Sequence, residues 1–368
     1  MAHRPIPTAP AANNPLDRIG NVLLVASGKG GVGKSTVAAN LAAAFAQLGH
    51  VTGLLDADIY GPSIPTMFGI TDAKVHSKDG TMLEPAQVGG IRLMSMGFFV
   101  DPQAAMVWRG PMLNGAIMQF LQEVDWGDLD ILVVDLPPGT GDVQLSLAQN
   151  LSHAAAVIVS TPQQVAIADV VRARGMFDRV GIPSVGLIEN MSYFVCGDCS
   201  TEHDLFGRGG AHEAADALNL RFLGEVPLES PIRVAGDAGA PIVTAQPDSP
   251  TAQIFLTMAK ELFEETAKWK QELVRRQSWS VTAQARGEVG PASALAESLE
   301  LCSTSVKILV EQGMPTPGPD DHIDGGLSIA ALCDRYALSL DQVLEEINQN
   351  LSAPAAKDKK GKLPILSR

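Results

Sequence analysis

The run Gly28-Lys29-Gly30-Gly31-Val32-Gly33-Lys34-Ser35-Thr36 fits the spacing of a phosphate loop: Gly, four residues, then Gly-Lys-Ser/Thr. Glycines at this density let the backbone turn tightly enough for several N–H groups to converge on one phosphate. The helix expected to follow, Val37 to Leu48, adds partial positive charge at its start. Gly28, Gly30, Gly31, Val32 and Gly33 would form the cradle. Lys34 would bridge the β- and γ-phosphates, the Ser35 hydroxyl would ligate Mg²⁺ and Thr36 would bond the α-phosphate.

Three carboxylates stand where such a site needs them. Asp56 and Asp58 close an apolar run, and Asp135 leaves the run Ile131-Leu132-Val133-Val134. A carboxylate at a strand end can orient the attacking water, because phosphoryl transfer depends mostly on positioning and electrostatics. Asp135 would act on Mg²⁺ through water. Asp56 either acts through the same metal shell or only fixes its loop. The Gly139 amide, in the turn Pro137-Pro138-Gly139-Thr140-Gly141-Asp142, could sense the terminal phosphate, since a glycine turn can move when that group departs. Asn190 ends another apolar run and offers a donor and an acceptor to a base edge, although a plain turn role is open to it. Cys196-Gly197-Asp198-Cys199 lies in a polar, glycine-rich stretch read as a surface loop. Two thiolates can clasp a metal centre, but a [4Fe–4S] cluster or a tetrahedral zinc takes four ligands. A twofold dimer would supply the other half. A shared structural zinc, with His203 as a further ligand, and a dithiol are the alternatives. Cys302 and Cys333 are expected to be simply buried.

The elements that position these residues read as an α/β fold, a doubly wound, mostly parallel sheet of the P-loop NTPase kind. Apolar runs at Val22–Ala26, Val51–Leu55, Ile131–Leu136, Ala156–Ser160 and Val185–Ile188 are continuous, as strands buried on both faces should be. Ile91–Met96 and Phe222–Val226 are further candidates. Ligands of such a sheet sit beyond the carboxyl ends of its strands. Ile254, Met258, Leu262, Thr266, Trp269 and Leu273 mark one stripe of a long helix that packs on the domain. The expected organisation is a flexible leader over 1–20, an ATPase domain over 21–265, a helix end and linker over 266–291, a small helical domain over 292–351 and a basic disordered tail over 352–368. Within the small domain, Ala292–Gln312 and Ser328–Asn350 read as helical.

The 41 acidic residues outnumber the 27 basic ones, for a net charge of −14, which argues against nucleic acid or an anionic membrane as partner. The 4 cysteines are too few for a disulfide framework and fit a reducing, cytoplasmic setting. No apolar run approaches the ~18 residues that span a bilayer, and the first residues make no signal peptide.

With Lys29 near the start of the loop, the chain resembles the deviant Walker A ATPases, which include MinD, ParA and the nitrogenase iron protein. The resemblance implies that Lys29 reaches the partner's phosphates in an ATP-dependent homodimer, that Asp58 orients water and that Asn190 contacts adenine. From Val22 to about Phe263 the chain looks like the Mrp/ApbC iron–sulfur carriers. Its marks are Val107-Trp108-Arg109-Gly110-Pro111-Met112, Asp135 to Asp142, Glu189-Asn190-Met191-Ser192 running into the cysteine pair, Phe206-Gly207, and Gly224-Glu225-Val226-Pro227-Leu228. This implies a bridging [4Fe–4S] cluster held by Cys196 and Cys199 of two subunits and delivered to apo iron–sulfur client proteins, with slow ATP hydrolysis. A MinD/ParA-like positioning switch without a cluster is the competing reading. The C-terminal stretch Leu301–Asn350 faintly resembles the small helical domain of iron–sulfur repair di-iron proteins, without its cysteine pair.

Overall fold

The computed structural model describes residues 15–58, 61–77, 82–99, 110–141, 144, 150–151, 153–286, 289–294, 298, 305–315, 323–324, 327–351 and 366–367. Strands β1 (Ile19–Ala26), β2 (Thr52–Asp56), β3 (Ala86–Val88), β4 (Ile91–Ser95), β5 (Leu129–Asp135), β6 (Ala154–Ser160), β7 (Ser184–Val195), β8 (Glu202–His203) and β9 (Phe222–Leu228) form one sheet. Its order is β3-β4-β2-β5-β1-β6-β7-β8, with β9 also paired to β7. All pairings are parallel except β3 with β4 and β7 with β8.

Helices α1 (Lys34–Gln47), α2 (Ile64–Met67), α3 (Gly110–Glu123), α4 (Gln164–Arg179), α5 (Gly210–Ala217), α6 (Ser230–Asp237), α7 (Ile242–Ala245) and α8 (Pro250–Arg286) connect and follow the strands. Val37, Leu41 and Phe45 of α1 and Phe255, Met258 and Leu262 of α8 share one core with Leu23, Val25, Leu54 and Val133. Val170 and Ala173 of α4 and Ala211 and Ala215 of α5 share another with Ile158 and Leu187. Each fully buried leucine or phenylalanine in these layers contributes roughly 1.5–3 kcal/mol.

The register explains why the acids meet. Asp56 pairs with Asp135 across β2 and β5, and with Ser95 across β2 and β4, while Val25 at the end of β1 pairs with Asp135. Parallel strands that end together deliver their terminal side chains to one edge, the edge from which the phosphate loop leaves β1.

The chain divides into two compact units: residues 1–176 with 184–267, and residues 177–183 with 268–368. The second has its own core of Val289, Ile308, Leu309, Ile329, Leu332, Val343, Leu344 and Ile347. Its described residues include the end of α8 from Lys268, α9 (Ser305–Glu311), α10 (Ile329–Tyr336) and α11 (Leu340–Gln349), the last two started by Ser328 and Ser339 side-chain caps.

Several boundaries differ from the sequence reading; β7, expected over Val185–Ile188, runs on to Val195, and α1 begins at Lys34 rather than Val37. The long helix runs on to Arg286, through the first part of the expected linker, because nothing from Ser278 to Arg286 breaks a helix. The expected helix over Ser328–Asn350 is two helices, separated at Ala337, whose φ of 53° is left-handed. The expected helix from Ala292 does not begin there, since Ala294 forms an isolated bridge with Ser328; among the described residues of that stretch, Ser298 and Ser305–Glu311 are helical. Leu366–Ser367, within the expected tail, pair in parallel with Ile323–Asp324. Most of the leader, residues 352–365 of the tail, Trp108, Arg109, Asp142 and Cys302 lie outside the described residues.

Candidate functional site

The phosphate loop joins β1 to α1, with Gly31 at φ 82° and Gly33 at φ 78°, conformations open to glycine at little cost. Gly33 is constrained twice, since a Cβ there would also overlap the Asn190 amide. Gly28 passes so close to α4 that a Cβ would overlap the Asp169 backbone and side chain. Lys34 is buried, with Nζ 2.5 Å from Asp135 Oδ1, 3.9 Å from Asp58 Oδ2 and 3.3 Å from Ser35 Oγ. Lys34 therefore points from the loop at the carboxylates of Asp135 and Asp58.

Asp56 accepts from Ser95 Oγ at 2.9 Å and from the Asp58 N–H at 3.1 Å. Burial first, and then the neighbouring Asp135 carboxylate, push its carboxyl up to about 8. Burial raises Asp135 as well, against the opposing pull of Lys34. Asp135 Oδ2 and Asp58 Oδ1 are buried without a hydrogen-bond partner. Buried carboxylate oxygens without partners are costly unless a ligand completes them. Hard oxygens beside a serine hydroxyl suit Mg²⁺. The residues present therefore fit that ion.

A cavity of about 240 Å³ is lined by Lys29, Gly30, Gly31, Gly33, Lys34, Ser35, Thr36 and Asp58. A larger one of about 630 Å³ shares Thr36, Ser63 and Met67 with it and continues past Asn190, Met191, Pro227 and Arg233. The pair has the shape of a phosphate pocket opening into a nucleoside pocket. Asn190 is brought to the site, but its Nδ2 donates to Val32 O at 2.8 Å, which occupies one of its donors. The Gly139 N–H likewise donates to Ser27 O at 3.0 Å, so sensing a phosphate requires that bond to break. Val32 itself is buried, and its carbonyl rather than its side chain faces Asn190.

Cys196 and Cys199 stand apart from this pocket, at the tip of the β7–β8 hairpin. Phe194 and Val195 pair with His203 and Glu202, and the turn is closed by Cys196 N to Thr201 O at 3.0 Å and Ser200 N to Cys196 O at 2.9 Å. Cys196 is half-buried and Cys199 exposed, and both are free. Cys199 Sγ lies 3.2 Å from Thr201 Oγ1. Hydrogen bonds from Thr201, and then from Cys196, hold the Cys199 thiol below its ordinary value, which favours the metal-binding thiolate. Among the described residues, no group of three or more His, Cys, Asp or Glu side chains is placed to hold a metal. Cys333, by contrast, is buried, and desolvation pushes its thiol up to about 12, as expected of an inert core cysteine.

Sequence reasoning gave no role to three residues here. Ser95 supports Asp56. Glu189 is fully buried and accepts from Ser192 Oγ, Gly209 N and Ala211 N at 2.6, 2.9 and 2.7 Å, tying β7 to the start of α5. Arg208 binds around the cysteine hairpin. A charged residue inside an apolar strand run was the available signal for Glu189; Ser95 and Arg208 gave none, since their partners are remote in sequence.

No described helix is long and apolar enough to cross a membrane. A family model described as a NUBPL iron-transfer P-loop NTPase of the ParA group matches residues 18–263. The iron-sulfur cluster carrier protein of Synechocystis is 51% identical over 249 residues, 67% of this chain and 70% of that protein. An iron-sulfur protein of Arabidopsis thaliana, described as required for NADH dehydrogenase and mitochondrial, is 48% identical over 248 residues, 67% of this chain and 79% of that protein. Among solved structures, a nucleotide-binding protein of Archaeoglobus fulgidus in complex with ADP is 42% identical. It aligns with a TM-score of 0.54 over 61% of this chain and 88% of its own. With its phosphate loop, its acids and its cysteine hairpin on one doubly wound sheet, the chain is a P-loop ATPase and belongs to the NUBPL iron-transfer branch of the ParA family.

Proposed function

We propose that the chain is an ATP-driven iron–sulfur carrier that works in the cytoplasm as a homodimer. Its cargo is a [4Fe–4S] cluster bridged by Cys196 and Cys199 of two copies, and its clients are apo iron–sulfur proteins. The domain reading is part of this proposal: residues 21–265 carry the ATPase, and 292–351 form a separate small helical domain that docks a partner.

In the nucleotide half, Lys34 lies against the β- and γ-phosphates and Lys29 against the partner's, neutralising charge as it develops. Asp58 orients the water whose oxygen attacks the γ-phosphorus while the bond to the bridging β–γ oxygen breaks and ADP leaves. Ser35 directly, and Asp135 through water, would hold Mg²⁺, which supplies further charge neutralisation at the phosphates. Asp56 holds the Asp58 loop through the Asp58 N–H. Asn190 exchanges its bond to Val32 for the adenine edge, and Gly139 releases Ser27 to meet the terminal phosphate. In the cargo half, client thiolates displace the four sulfurs of the dimer one at a time, a ligand exchange that changes no oxidation state.

The observation that carries this reading is continuity within one strand. β7 brings Asn190 to the phosphate loop and, six residues on, presents Cys196 at the hairpin tip. The test is anaerobic reconstitution with iron and sulfide, followed by incubation with an apo-ferredoxin with and without ATP. A coloured dimer that activates the ferredoxin faster with ATP is expected. Lys34→Ala should lose nucleotide binding and keep the colour, whereas Cys196→Ala should do the reverse. A colourless protein with stoichiometric zinc would end the carrier reading.

A further inference from the structure

The hairpin that carries the cysteines has little of its own to hold it. β8 contributes two residues, paired at Phe194 with His203 and at Val195 with Glu202. A two-stranded ribbon of this length is marginal without outside contacts. Those contacts converge on Arg208, between β8 and α5. Its Nη1 lies 2.7 Å from Glu202 Oε2, on the returning arm of the hairpin. Its Nε and Nη2 lie 2.9 and 2.7 Å from Glu225 Oε2, on β9. Its guanidinium carbon stands 4.2 Å from the centroid of the Tyr193 ring, on β7 just before the hairpin. Gly207 at φ 82° and Gly209 at φ 81° flank it, and the Gly209 N–H is fixed by Glu189. One side chain thus joins three strands around the hairpin.

Geometry and charge both ask for arginine here. A planar fork can meet two carboxylates and stack on a ring together, whereas an ammonium is a single point charge. Glu202 and Glu225 share this one cation, so without it two carboxylates would face each other unneutralised. β9 is also a firm anchor: it is paired along β7 from Leu187 to Asn190 and again at Phe194.

We propose that Arg208 is the positioning residue of the cysteine pair, clasping the hairpin that bears Cys196 and Cys199 onto β9 and Tyr193 so that the two sulfurs keep a fixed place. As a statement about cargo this rests on the cluster reading above; as a statement about the hairpin it does not. Each exposed ion pair alone is weak, but three contacts through one guanidinium should hold the local opening equilibrium back about tenfold.

The test uses the full chain with Arg208→Ala, Arg208→Lys and Glu202→Gln. Hydrogen exchange is followed at the Cys196 and Ser200 amides, alongside nucleotide affinity and the rate at which a chelator strips a reconstituted cluster. In Arg208→Ala, exchange at both amides and cluster loss should each rise about tenfold, with nucleotide affinity within about twofold of the parent. Arg208→Lys should recover part of both. Glu202→Gln, which cuts only the arm to the hairpin and leaves the Glu225 pair, should reproduce the effect even if Arg208→Ala folds poorly. Unchanged exchange in Arg208→Ala and Glu202→Gln would overturn the proposal, as would a parallel loss of nucleotide affinity. If the parent never holds a cluster while exchange still rises in the variants, the clasp stands and the cargo reading falls.

Discussion

Asp56 and Asp135 face each other across neighbouring strands, with Asp58 close by and Lys34 as the buried cation among them. One charge cannot neutralise three carboxylates, and Asp56, buried beside Asp135 while Lys34 pairs with Asp135, answers by holding its proton: it is pushed up to about 8. The sign of the consequence follows from linkage. Folded Asp56 keeps a proton that the unfolded chain releases near its ordinary value of 3.8, so its contribution to stability is fully present below that pH. It is lost progressively as pH rises toward about 8. Asp56→Asn stays neutral throughout, can still accept from the Asp58 N–H and can donate to Ser95 Oγ. Nucleotide-free melting curves from pH 5 to pH 9 should therefore fall less steeply for the variant, by an amount on the order of a few kcal/mol across that range. Equal slopes for variant and parent would mean that Asp56 is ionised in the empty site. None of this was visible in the sequence, where only the family resemblance set Asp58 ahead of Asp56 as the residue that orients water. The difference comes from register, which gives Asp56 both Asp135 and Ser95 as neighbours.

At the scale of elements, the strands were legible where burial on both faces demanded unbroken apolar runs, as at Leu23 to Ala26 and Ile131 to Val134. The upper half of β7 was not, because Glu189, Asn190 and Ser192 interrupt the run. They are buried polar residues satisfied by partners that sequence does not identify: Gly209 and Ala211 for Glu189, and the Val32 carbonyl for Asn190. The cysteine hairpin was read only as a loop for the same reason, since the strand leading to it was hidden. The turn of the phosphate loop was legible because its backbone requires glycine, as Gly31 and Gly33 at positive φ show. Gly33→Ala tests that requirement at its tightest point. The new methyl would face both a left-handed φ and the Asn190 amide, so a loss of about 2–4 kcal/mol is expected. Because the strain falls on the loop and on β7 together, nucleotide affinity should drop more than tenfold even where the protein remains folded. A variant with parental affinity and melting temperature would show that the loop yields freely.

At the scale of the molecule, the division into two units predicts separable stability. Every residue of the main core, from Leu23 to Leu262, and the core under α4 and α5 belong to the first unit, and α8 is fastened there by Arg221 to Glu261 and Glu265 at 2.9 and 3.1 Å. The second unit's core begins at Val289 and shares none of these residues. A chain stopped after Ala267 keeps Phe263, the last side chain packed on the main core, with one further turn of helix to protect it. About 260 residues also suffice for a complete hydrophobic core. The shortened chain should therefore bind ADP within about twofold of the parent and retain the reactivity of Cys196 and Cys199 toward an alkylating reagent, both read on the same preparation. Delivery of a cluster to clients is a separate matter: if the C-terminal unit docks partners, transfer should slow while binding and thiol reactivity stay level. Loss of ADP binding on shortening would instead mean that the phosphate loop depends on residues beyond 267, and the nucleotide site could then no longer be assigned to the first unit alone.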